Sequence, residues 1–261
     1  MEEKNVCLHL NEEENSQLQF IMHEIHGSLR SIDIALRAIT DKNLSTSEGR
    51  ALIKEMAEQA QQATFDITNQ LDYWQISNDE RYFNGVPMRY QNIWRHFAKP
   101  NPYFAKRIKA GGIDYSVKKV GTSIIKDYYG YGIVNALANI MLDNALKYTP
   151  TGGSIECTFE YDEDNSLIIT MENPGPYVSE EEISGIFSCG VRGKNAIQGS
   201  YRGSGYGLNF LKLIVDAHEG EVDIESTYTH QSDGVKFGQF KISVTLPEFQ
   251  EYDAMDDDYD D

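Results

Sequence analysis

The chain has 261 residues, 40% of them apolar, and a formal net charge of −18 at neutral pH. That length allows one large domain or two modest ones with real cores, and the charge excludes a broad nucleic-acid surface, which needs a basic face. No apolar run reaches the length of a membrane span, the acidic start "MEEKNVCLHLNEEEN" is no secretory signal, and the three scattered cysteines, Cys7, Cys157 and Cys189, exclude a disulfide framework and point to a reducing cytoplasm.

Apolar residues first recur at helical spacing over Leu18, Ile21, Ile25, Leu29, Ile32, Leu36 and Ile39. "DKNLSTSEG" breaks that stripe and offers Ser45 or Ser47 as the cap of a second helix. The second stripe runs Ile53, Met56, Ala60, Ala63 or Thr64, Ile67, Leu71, Trp74. The two predict an antiparallel helical hairpin over residues 14–80. Its single apolar face has too little mass to bury itself, so pairing with a second copy into a four-helix bundle is expected. The first helix carries "MHEIHGSL", with His23 and His26 three residues apart and Glu24 beside the first. Taken alone, the pair reads equally as a metal pair, a reactive nucleophile or two surface histidines.

"NDERYFNGVP" is a linker, after which helical and strand-like runs alternate. "NIWRHFAKPN" reads as part of a helix, "GIDYSVKK" as a strand and "GYGIVNALANIMLDNALKY" as a long helix. "SIECTFEY" and "SLIITMEN" read as strands joined by a hairpin at "DEDN". A helix at "GYGLNFLKLIVDAH" precedes strands at "GEVDIES" and "GQFKISVTLP". The fold class is therefore α+β, an α/β sandwich with one sheet covered by helices on a single face, over residues 86–248. Residues 249–261 hold a run of carboxylates and read as an acidic, disordered tail.

Three stretches of this second half carry chemistry. In "NIMLDNALKYTPTGG", a helix places Asn144, Lys147 and Tyr148 within one turn. An amide oxygen suits Mg²⁺, an ammonium suits phosphate and an aromatic ring can cover a base. A surface helix with mixed polar residues explains the stretch equally well. In "ENPGPYV", Asn173 at a strand end before a Pro-Gly turn can face a ligand edge, or can simply belong to a turn. In "RGSGYGLNFL", Gly203, Gly205 and Gly207 open into a helix, a pattern that admits phosphate. No GxxxxGK[ST] loop is present, which excludes a P-loop NTPase.

In order and spacing, these stretches resemble the ATP-binding domain of sensor histidine kinases, within the GHKL ATPases. "NIMLDNALKYTPTGG" is similar to that family's N box, "ENPGPYV" to its G1 box, "IFSCGVRG" to its F box and "GSGYGL" to its G2 box, while "HEIHGSL" is similar to its H box. The resemblance implies His23 as phosphoacceptor and Glu24 as the carboxylate that takes its proton. It assigns Asn144 to Mg²⁺, Lys147 to phosphate and Tyr148 to the base, and adds Gly175, Arg192, Gly203, Gly205, Gly207 and Leu208 as ATP-binding residues. Gly193 to Arg202 would be a mobile ATP lid. Asn173 stands where the family has an adenine-reading Asp, Tyr177 where it has a second glycine and Ile140 where it has an earlier Asn. Gly27 stands where dual-function members carry Thr or Asn, which implies little phosphatase activity.

The resemblance implies an ATP-dependent protein-histidine kinase with ATP and Mg²⁺ as cofactors. It would act as a cytoplasmic homodimer, pass its phosphoryl group to an Asp of a response-regulator receiver domain, and take its input from a separate sensor protein. The Asn173 and Ile140 departures keep a second expectation, a non-catalytic nucleotide-binding scaffold that regulates another kinase.

Overall fold

The computed structural model describes residues 86–249 except Arg202 and Ser204, together with Leu29, Arg30, Ile32, Asp33, Thr46, Ser47, residues 49–57, Ala60, Thr64, Ile67 and Leu71. The chain divides into two units at Tyr82/Phe83. In the first unit every described residue except Thr46 is helical. At the start of the helix that follows, the Thr46 hydroxyl accepts from the Gly49 N–H at 3.0 Å, and Ser47 lies within the helix; Ser45 lies outside the described residues. The helical hairpin otherwise lies outside the described residues, as do His23, Glu24, His26, Gly27 and the acidic tail. Among the described residues no helix is long and apolar enough to cross a membrane.

The second unit is α+β. It begins with β1 (Arg89–Gln91), α1 (Ile93–Ala98), α2 (Pro102–Gly111), β2 (Asp114–Lys119) and β3 (Tyr128–Gly130). A 3₁₀ turn over Gly132–Asn135 leads into α3 (Ala136–Tyr148), followed by β4 (Ser154–Tyr161), β5 (Leu167–Pro176), α4 (Glu180–Ile183) and α5 (Lys194–Gln198). α6 (Gly207–Ala217), β6 (Glu221–Ser232) and β7 (Val235–Leu246) complete it. The main sheet has the order β2-β4-β5-β7-β6, with β2 parallel to β4 and every other pair antiparallel. Several features were not read from the sequence: β1 and β3 form a separate two-stranded sheet, α4 and α5 are short helices, and "NPYFAKRIKAGG" forms α2. That helix has ordinary signals at both ends. The Asn101 side chain caps it, Pro102 opens it and Gly112, at φ +59°, closes it.

Alternate side chains of the sheet build the core. Ile155, Cys157 and Phe159 of β4, Leu167, Ile169 and Met171 of β5, and Ile242, Val244 and Leu246 of β7 are all buried. Above them pack Leu137, Met141 and Leu142 of α3 and Leu211, Ile214 and Val215 of α6. Phe159 meets Trp94 and Phe97 of α1 edge-to-face, with ring centroids 5.0 and 5.2 Å apart. The other face is polar, with Thr170 bonded to Ser243 at 2.9 Å and Lys241 to Glu225 at 2.7 Å across neighbouring strands. The β4–β5 hairpin forms where expected. Asp162 Oδ1 accepts from the N–H groups of Asp164 and Ser166, and Asn165 takes φ +61°.

One polar group is fully buried in this core. His218, at the end of α6, is 0% exposed. Its Nδ1 lies 2.7 Å from the Ile214 carbonyl, and its Nε2 accepts the Tyr131 N–H at 3.1 Å. Those partners require a neutral imidazole carrying its proton on Nδ1. Burial accordingly lowers its pKa.

Candidate functional site

The site residues gather at one end of the sandwich, where α3 and β5 finish and α6 begins. α3 presents Asn144, Lys147 and Tyr148 over its last turn. Asn144 and Tyr148 are half-buried and Lys147 is exposed. Lys147 Nζ lies 2.5 Å from an oxygen of Asp143, whose other oxygen accepts from Arg107 at 2.7 Å. Asp143 was not singled out in the sequence, although the i,i+4 spacing of Asp143 and Lys147 announces their pairing.

Asn173 does not lie in a turn. β5 continues through Pro176, with Asn173 opposite Phe240 and Gly175 opposite Gly238 of β7. The prolines are tolerated because β4 stops pairing with β5 at Glu172, so this stretch has a neighbouring strand on one side only. Asn173 is 4% exposed, and its Nδ2 donates to the Pro174 carbonyl at 3.0 Å. Gly175 lies directly beneath Tyr148: a Cβ built there would fall 3.1 Å from the Tyr148 Cβ. The glycine therefore lets the end of α3 settle onto β5.

The glycine-rich stretch closes the site from the other side. Gly205 has φ +82°, and a Cβ there would meet the Gly190 and Val191 backbone at 2.6–2.7 Å. Gly207 begins α6 against Ile140, which stands 3.9 Å from the position of its missing Cβ. Leu208 follows in the first turn of α6, half-buried. Asn209, another residue the sequence did not flag, ties α6 to the segment before Arg192 by donating to the Phe187 carbonyl at 2.8 Å.

Arg192 and Gly203 meet Tyr148 here. A Cβ at Gly203 would lie 3.9 Å from Arg192 Nε and 4.0 Å from the Tyr148 hydroxyl. Arg192 Nη2 donates to the Tyr201 carbonyl, while its Nε is buried with no hydrogen-bond partner among the described residues. The Tyr201 ring packs 5.4 Å from that of Tyr148. An orphaned guanidinium N–H beside two tyrosines and an open glycine is a donor set for an anion beneath an aromatic ring. Among the described residues no group of three His, Cys, Asp or Glu side chains is placed to hold a metal ion. Tyr148, Gly175, Arg192 and Gly203 converge, with Asn144, Lys147, Asn173, Gly205, Gly207 and Leu208 around them. His23 and Glu24 lie outside the described residues.

Known proteins resemble this domain in sequence and fold. Residues 132–249 match the family model described as histidine kinase-, DNA gyrase B-, and HSP90-like ATPase. The probable sensor kinase SilS of Salmonella typhimurium is 39% identical over 88 residues, which cover 34% of this chain and 18% of that protein. The chain thus spans under a fifth of that relative's length. A structure of full-length ShkA in complex with AMPPNP superposes over 91% of this chain and 47% of that one, at 14% identity and a TM-score of 0.56. A structure of histidine kinase ThkA with the response regulator protein TrrA covers 90% of this chain and 61% of that one, at 16% identity and a TM-score of 0.51.

Proposed function

We propose that this chain, whose residues 132–249 form a domain of the histidine kinase-, DNA gyrase B- and HSP90-like ATPase family, is an ATP-dependent protein-histidine kinase of two-component signalling. The observation that carries this reading is the convergence of Tyr148, Gly175, Arg192 and Gly203 on one space at the end of α3 and β5. ATP fits the residues there. Tyr148 covers the base, Asn173 Oδ1 accepts from the adenine amino group, and the glycines let backbone N–H groups approach phosphate. Arg192 and Lys147 neutralise phosphate charge, and Lys147 does so by leaving Asp143. Asn144 would supply one oxygen to Mg²⁺, an ion that needs few protein ligands. When bound, that ion neutralises charge on the transferring phosphoryl group.

Catalysis consists of in-line transfer to an imidazole. A neutral His23 nitrogen attacks the γ-phosphorus, the bond to the β,γ-bridging oxygen breaks, ADP leaves, and Glu24 takes the imidazole proton. The phosphoryl group then passes to a carboxylate of a response-regulator receiver domain, a partner type supported by the ThkA–TrrA complex. The ATP-binding domain comprises residues 86–248, and residues 14–80 form the phosphotransfer hairpin, which dimerises into a four-helix bundle. The three widely spaced cysteines, Cys7, Cys157 and Cys189, accord with a cytoplasmic protein.

The test is incubation with γ-labelled ATP and Mg²⁺. Acid-labile, alkali-stable label that disappears in His23→Ala supports the reading. ATP binding without label would overturn it in favour of a non-catalytic scaffold.

A further inference from the structure

The segment after Arg192, expected as a mobile lid, is held down in this structure. Its helix α5 lies against the end of the β5–β7 pair, where a single amide makes two bonds. Asn195 Nδ2 donates to the Tyr177 carbonyl at 2.7 Å, and Asn195 Oδ1 accepts the Lys236 N–H at 3.1 Å. Tyr177 itself donates its N–H to the Lys236 carbonyl at 2.9 Å. Asn195 thus extends the sheet pairing just beyond the last rung, Pro176–Phe237. One residue earlier, the Lys194 N–H donates to Glu182 Oε1 at 2.7 Å, while Glu182 Oε2 accepts the Ser179 N–H at 3.2 Å. Burial pushes the Glu182 carboxyl up, but these N–H groups outweigh it and hold it below the usual range.

The far end of the segment touches the proposed nucleotide site. The Tyr201 ring packs at a tilt against Tyr148, and the Tyr201 carbonyl takes Arg192 Nη2. Holding α5 on the sheet therefore holds Tyr201 against the ring assigned to the base. Tyr177, in the position where the resemblance expects glycine, is part of this anchor. Its ring packs edge-on against Tyr228 at 5.8 Å, bracing the carbonyl that Asn195 grips. The side chain here donates from one terminal atom and accepts at the other, as a carboxamide does.

We propose that Asn195 is a positioning residue that latches residues 193–201 over the nucleotide site and so sets the rate at which nucleotide leaves. This rests on the ATP-site reading above. Asn195 itself makes no base or phosphate contact in this reading, and it acts through Tyr201 and Arg192. Asn195→Ala removes both bonds, whereas Asn195→Asp keeps the acceptor for Lys236 and loses the donor to Tyr177.

The experiment uses the full chain as wild type, Asn195→Ala and Asn195→Asp. It measures mant-ATP dissociation by stopped flow, thermal unfolding, and amide hydrogen exchange at Lys194 and Lys236 without nucleotide. Expected are a dissociation rate about 5- to 10-fold faster in the Ala variant, a raised rate for Asp as well because its carboxylate faces the Tyr177 carbonyl, faster exchange at both amides, and unfolding midpoints close to wild type. Unchanged dissociation with faster exchange would overturn the control of nucleotide release, and unchanged exchange would overturn the latch itself. A wild type that binds no mant-ATP would instead sink the ATP reading, and the exchange comparison would still decide whether the latch exists.

Discussion

Gly205 rests against the backbone of Gly190. A Cβ on Gly205 would lie 2.6 Å from the Gly190 carbonyl carbon and 2.7 Å from its oxygen. The contact joins the start of the glycine-rich stretch to the turn before Arg192, so the two walls of the site share one close approach. Gly205→Ala forces both the positive φ and the clash, a strain of order 1–3 kcal/mol. The expected outcome is a loss of ATP affinity of about tenfold or more, measured by calorimetry. Wild-type affinity in this variant would show that the approach does not shape the site.

Asn173 gives a prediction with two parts. Its Nδ2 donates to the Pro174 carbonyl within a buried strand end. Asn173→Asp replaces that donor by an oxygen facing an oxygen, and urea unfolding should show a loss of about 1–3 kcal/mol. The charged acceptor should at the same time reject guanine more firmly, since guanine presents an oxygen where adenine presents an amino group. Competition by GTP against labelled ATP should therefore weaken in the variant. Equal GTP exclusion in both proteins would count against Asn173 as the base reader.

His218 makes stability depend on pH. Burial lowers its folded pKa below the ordinary value of about 6.5. The unfolded chain therefore binds this proton first as pH falls. The contribution is complete above about pH 6.5 and is lost as pH drops from there through the lower folded value. Protonation would also set Nε2–H against the Tyr131 N–H that it now accepts. Urea titrations at pH 7.5 and 5.5 should show wild type losing stability on acidification by more than His218→Gln does.

The aromatic cluster supplies a prediction on stability alone. Phe159 is 0% exposed and meets Trp94 and Phe97 edge-to-face. Phe159→Ala should cost about 3–5 kcal/mol, because the rings around it belong to α1 and cannot collapse into the space. Denaturant unfolding with an unchanged m-value is the check.

Local pattern was enough for much of this domain. Alternation in "SIECTFEY" and "SLIIT" determined β4 and β5 with their hairpin, and helical spacing determined α3 and α6, because each of those elements buries one face along its own length. Asn144, Lys147 and Tyr148 were legible together for the same reason, one helical turn being a local object. Other features depended on contacts between distant residues. β1 and β3 are three residues each and exist only as a pair, 39 positions apart. "ENPGP" reads as a turn by composition, yet it is strand because Phe240, Gly238 and Phe237 of β7 lie alongside it. Nothing near Asn195 in the sequence distinguishes it from any surface amide. Only the fold brings Tyr177 and Lys236 to its two ends, since a hydrogen bond is set by distance in space and the chain between these partners is long.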